Sequence, residues 1–285
     1  MGAFLNCKEV STKIDTDTAQ KLEVLKTAGV QARLELFQIG DKADESAYAS
    51  AILRKGEQLG VKAELHRFPE DVSSGEYLAA FRQVNDHGEI DGLLLLQPLP
   101  RHIETEAIKR EIRPEKDVDG FGYANMAYLY AGDHRAMPPC TAQAVIEVLE
   151  HYGVELSGMN AAVVGRSPVV GKPLSLLLLA RNATVTMCHS RTRDLSAICR
   201  RAGLVVSATG KPRLIGRDHV TEQTILVDVG VSQDDTGALC GDVAVDEVQD
   251  VVSRMTKSSL SLGSVTTSVL LRHTALSAWR RAGKE

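Results

Sequence analysis

The stretch that decides the fold is Ala161-Ala-Val-Val-Gly165-Arg166-Ser167-Pro-Val-Val-Gly171-Lys-Pro173. A short apolar run with no alternation reads as a strand covered on both faces. It stops at Gly165. A turn follows, and a helix opens at Gly171 with Pro173 in its first turn, where a missing N–H costs nothing. Backbone N–H groups at such a start can hold a phosphate, and a glycine lets the ligand come close. The spacing is not GxGxxG, and a tight strand-to-helix connection with no ligand is the competing reading of the turn by itself.

Working outward, strands are predicted at residues 183–188, 204–207 and 225–229. Past the first of them lie Cys188-His189-Ser190-Arg191, where a dinucleotide fold meets the adenosine ribose. An acid there would favour NAD. Ser190 and Arg191 stand there instead, with Arg166 in the preceding loop, which suits a 2′-phosphate and points to NADP. The other two strands end in Ala208-Thr209-Gly210 and Asp228-Val229-Gly230-Val231. Both turns are expected at the same carboxyl edge. The candidate cofactor residues are therefore Gly165, Arg166, Ser167, Gly171, Ser190, Arg191, Thr209, Gly210, Gly230 and Val231.

Upstream, helix and strand patterns alternate. Residues 17–29 read as a helix with an acidic start and a glycine stop. Val30, Ala32, Leu34 and Leu36 then alternate with polar residues as a strand. A helix at 44–60, a strand at 61–65, a helix at 74–88 and a buried strand at 90–96 follow. This order implies a second parallel sheet with helices on its faces. A break falls at 130–139, after which Thr141 reads as the N-cap of a helix running to Gly153. Residues 266–281 form a last helical pattern, expected to pack back on the first half. The reading is an α/β protein of two domains, 1–137 joined by 266–285, and 138–265.

Composition excludes several classes. The chain has 285 residues, 44% hydrophobic and 25% charged, with net charge −4. Such a balance gives no surface for nucleic acid or an anionic membrane. No apolar run approaches the roughly 20 residues needed to span a bilayer. The first residues lack a basic segment followed by an apolar block, so a cytoplasmic protein is expected. The five cysteines are scattered without a CxxC pair, and the eight histidines show no HxxxH or HExxH spacing. Reduced thiols and no metal site are expected.

Taken together, the four turns resemble those of the methylenetetrahydrofolate dehydrogenase/cyclohydrolase family. The first half agrees: Gly40-Asp41 ahead of Tyr48, Asp91-Gly92 opening a buried strand, Pro98-Leu-Pro100 closing it, Pro114-Glu-Lys-Asp-Val-Asp-Gly120, and Pro139-Cys-Thr141. The resemblance implies two α/β domains with a cleft between them, in a homodimer. The second domain would be of Rossmann type and carry NADP, with a tetrahydrofolate-type molecule in the cleft. The implied chemistry is oxidation of 5,10-methylenetetrahydrofolate, then hydrolysis of the methenyl product to 10-formyltetrahydrofolate. Tyr48 matches the family's stacking tyrosine, Asp119 the aspartate that holds the pterin, and Gly263 and Thr266 belong to a loop bordering the folate.

Three places depart from the family pattern. Its lysine four residues after the tyrosine, which serves hydrolysis, is here Ile52. Its glutamine is here Leu96, with a glutamine one place later at Gln97. In a strand, one place reverses the face, so Gln97 is expected to point away from the site. The loop Ser259-Leu-Ser-Leu-Gly-Ser-Val-Thr266 keeps only Gly263 and Thr266. Plainer roles compete for the retained residues: core packing for Tyr48, turn formation for Asp119, a solvated turn for Lys116. Hydride transfer needs geometry and a cofactor more than a side-chain base. The favoured reading is thus an NADP-dependent dehydrogenase with weakened hydrolysis. A bifunctional enzyme with a substitute base and a catalytically silent nucleotide binder remain beside it. Lys55 is the candidate substitute: it shares a helical face with Tyr48 and could lean back over Ile52.

Overall fold

The computed structural model describes residues 2–234 and 237–284. In chain order the elements are β1 (Ala3–Leu5), α1 (Cys7–Thr27), β2 (Arg33–Ile39), α2 (Ala43–Leu59), β3 (Lys62–Phe68) and α3 (Ser74–Asp86). Next come β4 (Gly92–Leu95), α4 (Thr105–Glu111), α5 (Tyr123–Ala131), α6 (Cys140–His151), β5 (Asn160–Val164) and α7 (Gly171–Leu179). The rest are β6 (Thr184–Cys188), α8 (Leu195–Arg200), β7 (Leu204–Ser207), β8 (Ile225–Asp228), β9 (Ser232–Gln233), β10 (Leu239–Cys240), α9 (Val245–Val248), β11 (Arg254–Thr256) and α10 (Ser259–Arg281). No helix among the described residues is long and apolar enough to cross a membrane.

The chain divides into two compact units. One comprises Lys13–Cys140 and Thr267–Glu285. Its three-stranded parallel sheet has the order β3-β2-β4. Phe37, Tyr77, Phe81, Leu93, Leu95 and Ile108 form the centre of its core. α2 ends at Gly60 in the left-handed region, φ 92°, a conformation in which a side chain would be strained. α3 begins with a capping box between Ser73 and Glu76.

The other unit comprises Met1–Thr12 and Thr141–Thr266. Its six-stranded sheet runs β1-β11-β8-β7-β5-β6. Every neighbouring pair is parallel. The chain steps from β5 outward to β6, then returns across β5 to β7. That reversal between β5 and β7 is the switch point where ligands of open α/β sheets bind. Ala162, Val164, Val205, Leu226 and Met255 anchor the core beneath it.

Four differences from the sequence reading have physical causes. Residues 1–12 belong with the nucleotide-type unit rather than with 13–137, because β1 pairs with β11 at the sheet edge, Ala3 opposite Arg254. A three-residue strand is too short to show a period. α1 starts at Cys7 rather than near Asp17, because Cys7, Val10 and Ile14 form a buried stripe that outweighs the Ser/Thr-rich composition. α6 starts at Cys140, so Thr141 lies within the helix rather than capping it. α10 starts at Ser259 rather than Thr266. The family's Pro-Gly-Gly, which would break a helix, is Ser259-Leu260-Ser261 here, and nothing stops the helix from extending.

Candidate active site and nucleotide crevice

In the nucleotide-type unit, the turns after β5, β6, β7 and β8 all reach the carboxyl edge. Val164 lies opposite both Cys188 and Ser207, so their turns leave the sheet at one level. Gly165 sits at φ +125°, and a Cβ there would lie 2.3 Å from the Ala208 carbonyl oxygen. At Gly171 a Cβ would lie 2.0 Å from the Gly165 carbonyl oxygen. Only glycine permits this approach of helix to strand, and that clearance is what a dinucleotide cradle requires.

Ser167 organises the start of α7. Its hydroxyl accepts from the Val170 N–H at 3.0 Å and the Gly171 N–H at 3.4 Å, and its carbonyl accepts from Lys172 at 3.1 Å. The first helical N–H groups are thereby occupied, contrary to the expectation that they face a phosphate. The N–H groups of Arg166 and Ser167, one step earlier, have no protein acceptor among the described residues. They are the donors left for an anion. After β6, the His189 N–H donates to the Thr192 hydroxyl at 2.8 Å, and the Arg191 N–H donates to His189 Nδ1 at 3.1 Å. This tight turn holds Ser190 and Arg191 at its exposed tip, and Arg166 is exposed as well. Gly210 adopts φ +65° with open space around it. Gly230 is buried and Val231 exposed at the end of β8. A dinucleotide with a 2′-phosphate fits this set: neutral donors at a glycine turn and guanidinium groups beside the ribose position.

In the other unit, the segment Lys116-Asp117-Val118-Asp119-Gly120 runs alongside β4. The Leu93 N–H donates to the Lys116 carbonyl at 2.8 Å, and Leu93 bridges Asp117 in parallel. Each residue has its own task. Lys116 is not a solvated turn residue: it is 6% exposed and donates to the carbonyls of Asn85 and His87, both at 2.6 Å. Asp117 accepts from the Phe121 and Gly122 N–H groups, both at 2.8 Å, and shapes the turn. A Cβ at Gly120 would lie 2.6 Å from the Met137 carbonyl oxygen, so the chain passes close only because this is glycine. Asp119 is half-buried at the end of this segment. Its Oδ1 accepts from the Cys140 N–H at 2.9 Å.

Tyr48 stands on α2 close enough to Asp119 and Cys140 for their charges to act on it. Burial, then the negative charge of Asp119, pushes its phenol well above the ordinary range. Burial also pushes the Asp119 carboxyl up and the Cys140 thiol far up. Tyr48 and Cys140 are therefore neutral at physiological pH, and neither is a ready proton acceptor. Ile52 is 0% exposed and Leu96 is 4% exposed. Gln97 is exposed, but it lies beyond β4, which ends at Leu95 and is buried at every position, so strand alternation does not set its direction. Gly263 and Thr266 lie within the first turns of α10. The Thr266 hydroxyl donates back to the Leu262 carbonyl at 3.3 Å.

Lys55 does not lean over Ile52 as a bare ammonium. Its Nζ pairs with Asp15 at 2.8 Å and donates to the Ser268 hydroxyl at 2.6 Å. The pair is mostly covered, at 19% and 22% side-chain exposure, and Asp15 Oδ1 is buried without a hydrogen-bond partner. Removing the ammonium strands that carboxylate. Lys55→Met is expected to lower stability by about 1–3 kcal/mol, the lower part of the range if solvent reaches the pair. It should leave the ratio of hydrolysis to oxidation unchanged. Denaturant unfolding together with both rate assays checks this.

Sequence reasoning missed Cys140 and Asp242. Cys140 supplies the N–H that fixes Asp119 from the start of α6, and no spacing ties the two positions. Asp242 accepts from Ser207, Thr209 and Lys211. The Gly241-Asp242 dipeptide was the only signal, and it reads as an ordinary turn.

The fold defines a two-unit α/β protein with a doubly wound unit whose turns form a nucleotide-type crevice and a separate unit that carries the Tyr48–Asp119 pair. Residues 139–282 match the family model "Tetrahydrofolate dehydrogenase/cyclohydrolase, NAD(P)-binding domain", and residues 5–119 match its catalytic domain. The chain belongs to the tetrahydrofolate dehydrogenase/cyclohydrolase family. It is 39% identical over 272 residues to the bifunctional protein FolD of Clostridioides difficile, covering 95% of each chain. The bifunctional FolD of Campylobacter jejuni superposes with a TM-score of 0.95 at 34% identity, covering 99% of this chain and 100% of that one. The Trypanosoma brucei enzyme, solved with NADP and an inhibitor, gives 0.93 at 28% identity, covering 100% and 99%.

Proposed function

We propose that this protein oxidises 5,10-methylenetetrahydrofolate to the methenyl form with NADP, and that its hydrolysis of the methenyl product is slow. The reading is carried by one contrast. The nucleotide cradle and the Tyr48–Asp119 pair are kept, whereas the two positions that are Lys and Gln in the family pattern are buried Ile52 and Leu96. The relatives are named as enzymes, which favours this over a silent binder.

NADP, when bound, accepts the hydride at its nicotinamide ring. The chain's part is to hold the reactants. Gly165 and Gly171 admit the pyrophosphate, Arg166 and Ser167 offer N–H groups to it, and Ser190 with Arg191 receives the 2′-phosphate. Asp119, held by Cys140, takes the polar edge of the pterin, and the neutral Tyr48 ring supplies a stacking face. A second copy of the chain is the expected partner. β6 is a sheet edge, and Met187 on it and Leu179 on α7 are 37% and 61% exposed. A cytoplasmic location accords with this chemistry.

Arginine–phosphate contacts contribute about 1.5–3 kcal/mol, so NADP should bind at least about tenfold more tightly than NAD. Titrating each nucleotide, with Arg191→Ala beside the wild type, measures it. Equal affinity for the two in the wild type would refute the assignment.

A further inference from the structure

Beneath the nucleotide crevice lie two carboxylates, Asp228 and Asp242, 2% and 0% exposed. Asp242 is the better satisfied. Its Oδ2 accepts from the Ser207 hydroxyl at 2.8 Å, the Thr209 N–H at 2.6 Å and the Thr209 hydroxyl at 2.9 Å. Its Oδ1 accepts from the Lys211 N–H at 3.0 Å. Asp228 in turn accepts from the Asp242 N–H at 3.1 Å and the Val243 N–H at 3.3 Å. All these donors are neutral amides and hydroxyls, which is how a buried charge is stabilised without a cation.

The backbone closes on the pair from both sides. A Cβ at Gly230 would lie 2.0 Å from Asp242 Oδ1, and a Cβ at Gly241 would lie 1.8 Å from Asp228 Oδ2. One carboxylate therefore ties down residues 209–211, and the glycine of the turn after β8 rests directly against it. Both turns are among those that line the crevice. Two adjoining buried carboxylates do not ionise together cheaply. Burial, together with the charge of Asp242, pushes Asp228 up to about 7, against the pull of its N–H donors. Asp242 is the one of the pair with four donors.

We propose that Asp242, backed by Asp228, is a positioning residue for the nucleotide, acting through Thr209 and Gly230 to hold both turns in the form that receives it. This rests on the reading that the crevice takes NADP. Asp242 does not itself touch the ligand. Its loss loosens the Thr209–Lys211 turn while β7 and β8 stay in place, because their ladder bonds do not depend on it.

The experiment titrates the full-length protein with NADP and, separately, with tetrahydrofolate. A wild type that fails to bind NADP refutes the nucleotide reading itself, before any variant is made. Given binding, Asp242→Asn keeps the shape but presents an amide to donors. It is expected to raise the NADP Kd and KM at least about tenfold, with kcat at saturation within about twofold and tetrahydrofolate affinity unchanged. Thr209→Val should raise the NADP Kd several-fold alone and add less than about twofold in the Asp242→Asn background, because one clamp is cut twice. Should Asp242→Asn fail to fold, Thr209→Val set against Ser207→Ala still decides. Both lose a bond to the same carboxylate, but only Thr209 lies in the turn, so only its variant should weaken NADP. Independent multiplication of the two effects, equal effects of Thr209→Val and Ser207→Ala, or a lowered Tm with an unchanged NADP Kd would overturn the proposal.

Discussion

Supplied with 5,10-methylenetetrahydrofolate and NADP, the purified protein will accumulate the methenyl product, because oxidation outruns hydrolysis. The reason is local. Proton transfer by a placed side chain is commonly worth about 10² to 10⁴ in rate. Here the position that carries the family's lysine is Ile52, 0% exposed, and the position of its glutamine is Leu96, 4% exposed. Tyr48 is held neutral by burial and the charge of Asp119, and the Cys140 thiol is pushed far up by the same means. Lys55 is engaged with Asp15. Following NADPH formation and methenyl absorbance in one preparation gives both rates. Hydrolysis keeping pace with oxidation, so that no methenyl species builds up, is the contrary result. Ile52→Lys alone is not expected to restore hydrolysis. Ile52 is fully buried, so the new ammonium would be buried too, and burial penalises the charged form.

The second large effect is expected at Gly171. An alanine there would place its Cβ 2.0 Å from the Gly165 carbonyl oxygen and 3.0 Å from the Arg166 Cα. Both are backbone atoms, so no side chain can swing aside. α7 must move off β5, and with it the Ser167 turn that holds the anion donors. Displacing a binding group by about 1 Å can cost on the order of 10²-fold, and overpacking of this kind costs about 1–3 kcal/mol in stability. Gly171→Ala should therefore lose NADP binding by about two orders of magnitude while tetrahydrofolate binding persists. Calorimetric titration with each ligand reads both. NADP affinity within a few-fold of the wild type would mean that the cradle lies elsewhere.

Much of this could be read along the chain because the signals are local. The buried run ending at Gly165 and the proline at 173 each reflect a backbone constraint that neighbours in sequence enforce, whereas the strand read at 30–36 lies at Arg33–Ile39 and is buried without alternation. The substitution at Ile52 was legible because helix geometry sets the face from spacing alone, whereas Gln97 lies beyond the end of β4 at Leu95, where strand spacing does not fix its direction. What the sequence could not supply is which distant segments meet. Three-residue β1 shows no period, and its place is decided by an open edge on β11. Lys116 looked like a solvated turn residue, and only the carbonyls of Asn85 and His87 converging on one point account for its burial. Lys55 shares a helical face with Tyr48 as expected, but its partner was chosen by where α1 brings Asp15. Asp242 is the clearest case. A Gly-Asp pair after a short hairpin is an ordinary turn in sequence, and it becomes the anchor of the nucleotide crevice only because β7 and β8 deliver Ser207, Thr209 and Gly230 to the same carboxylate.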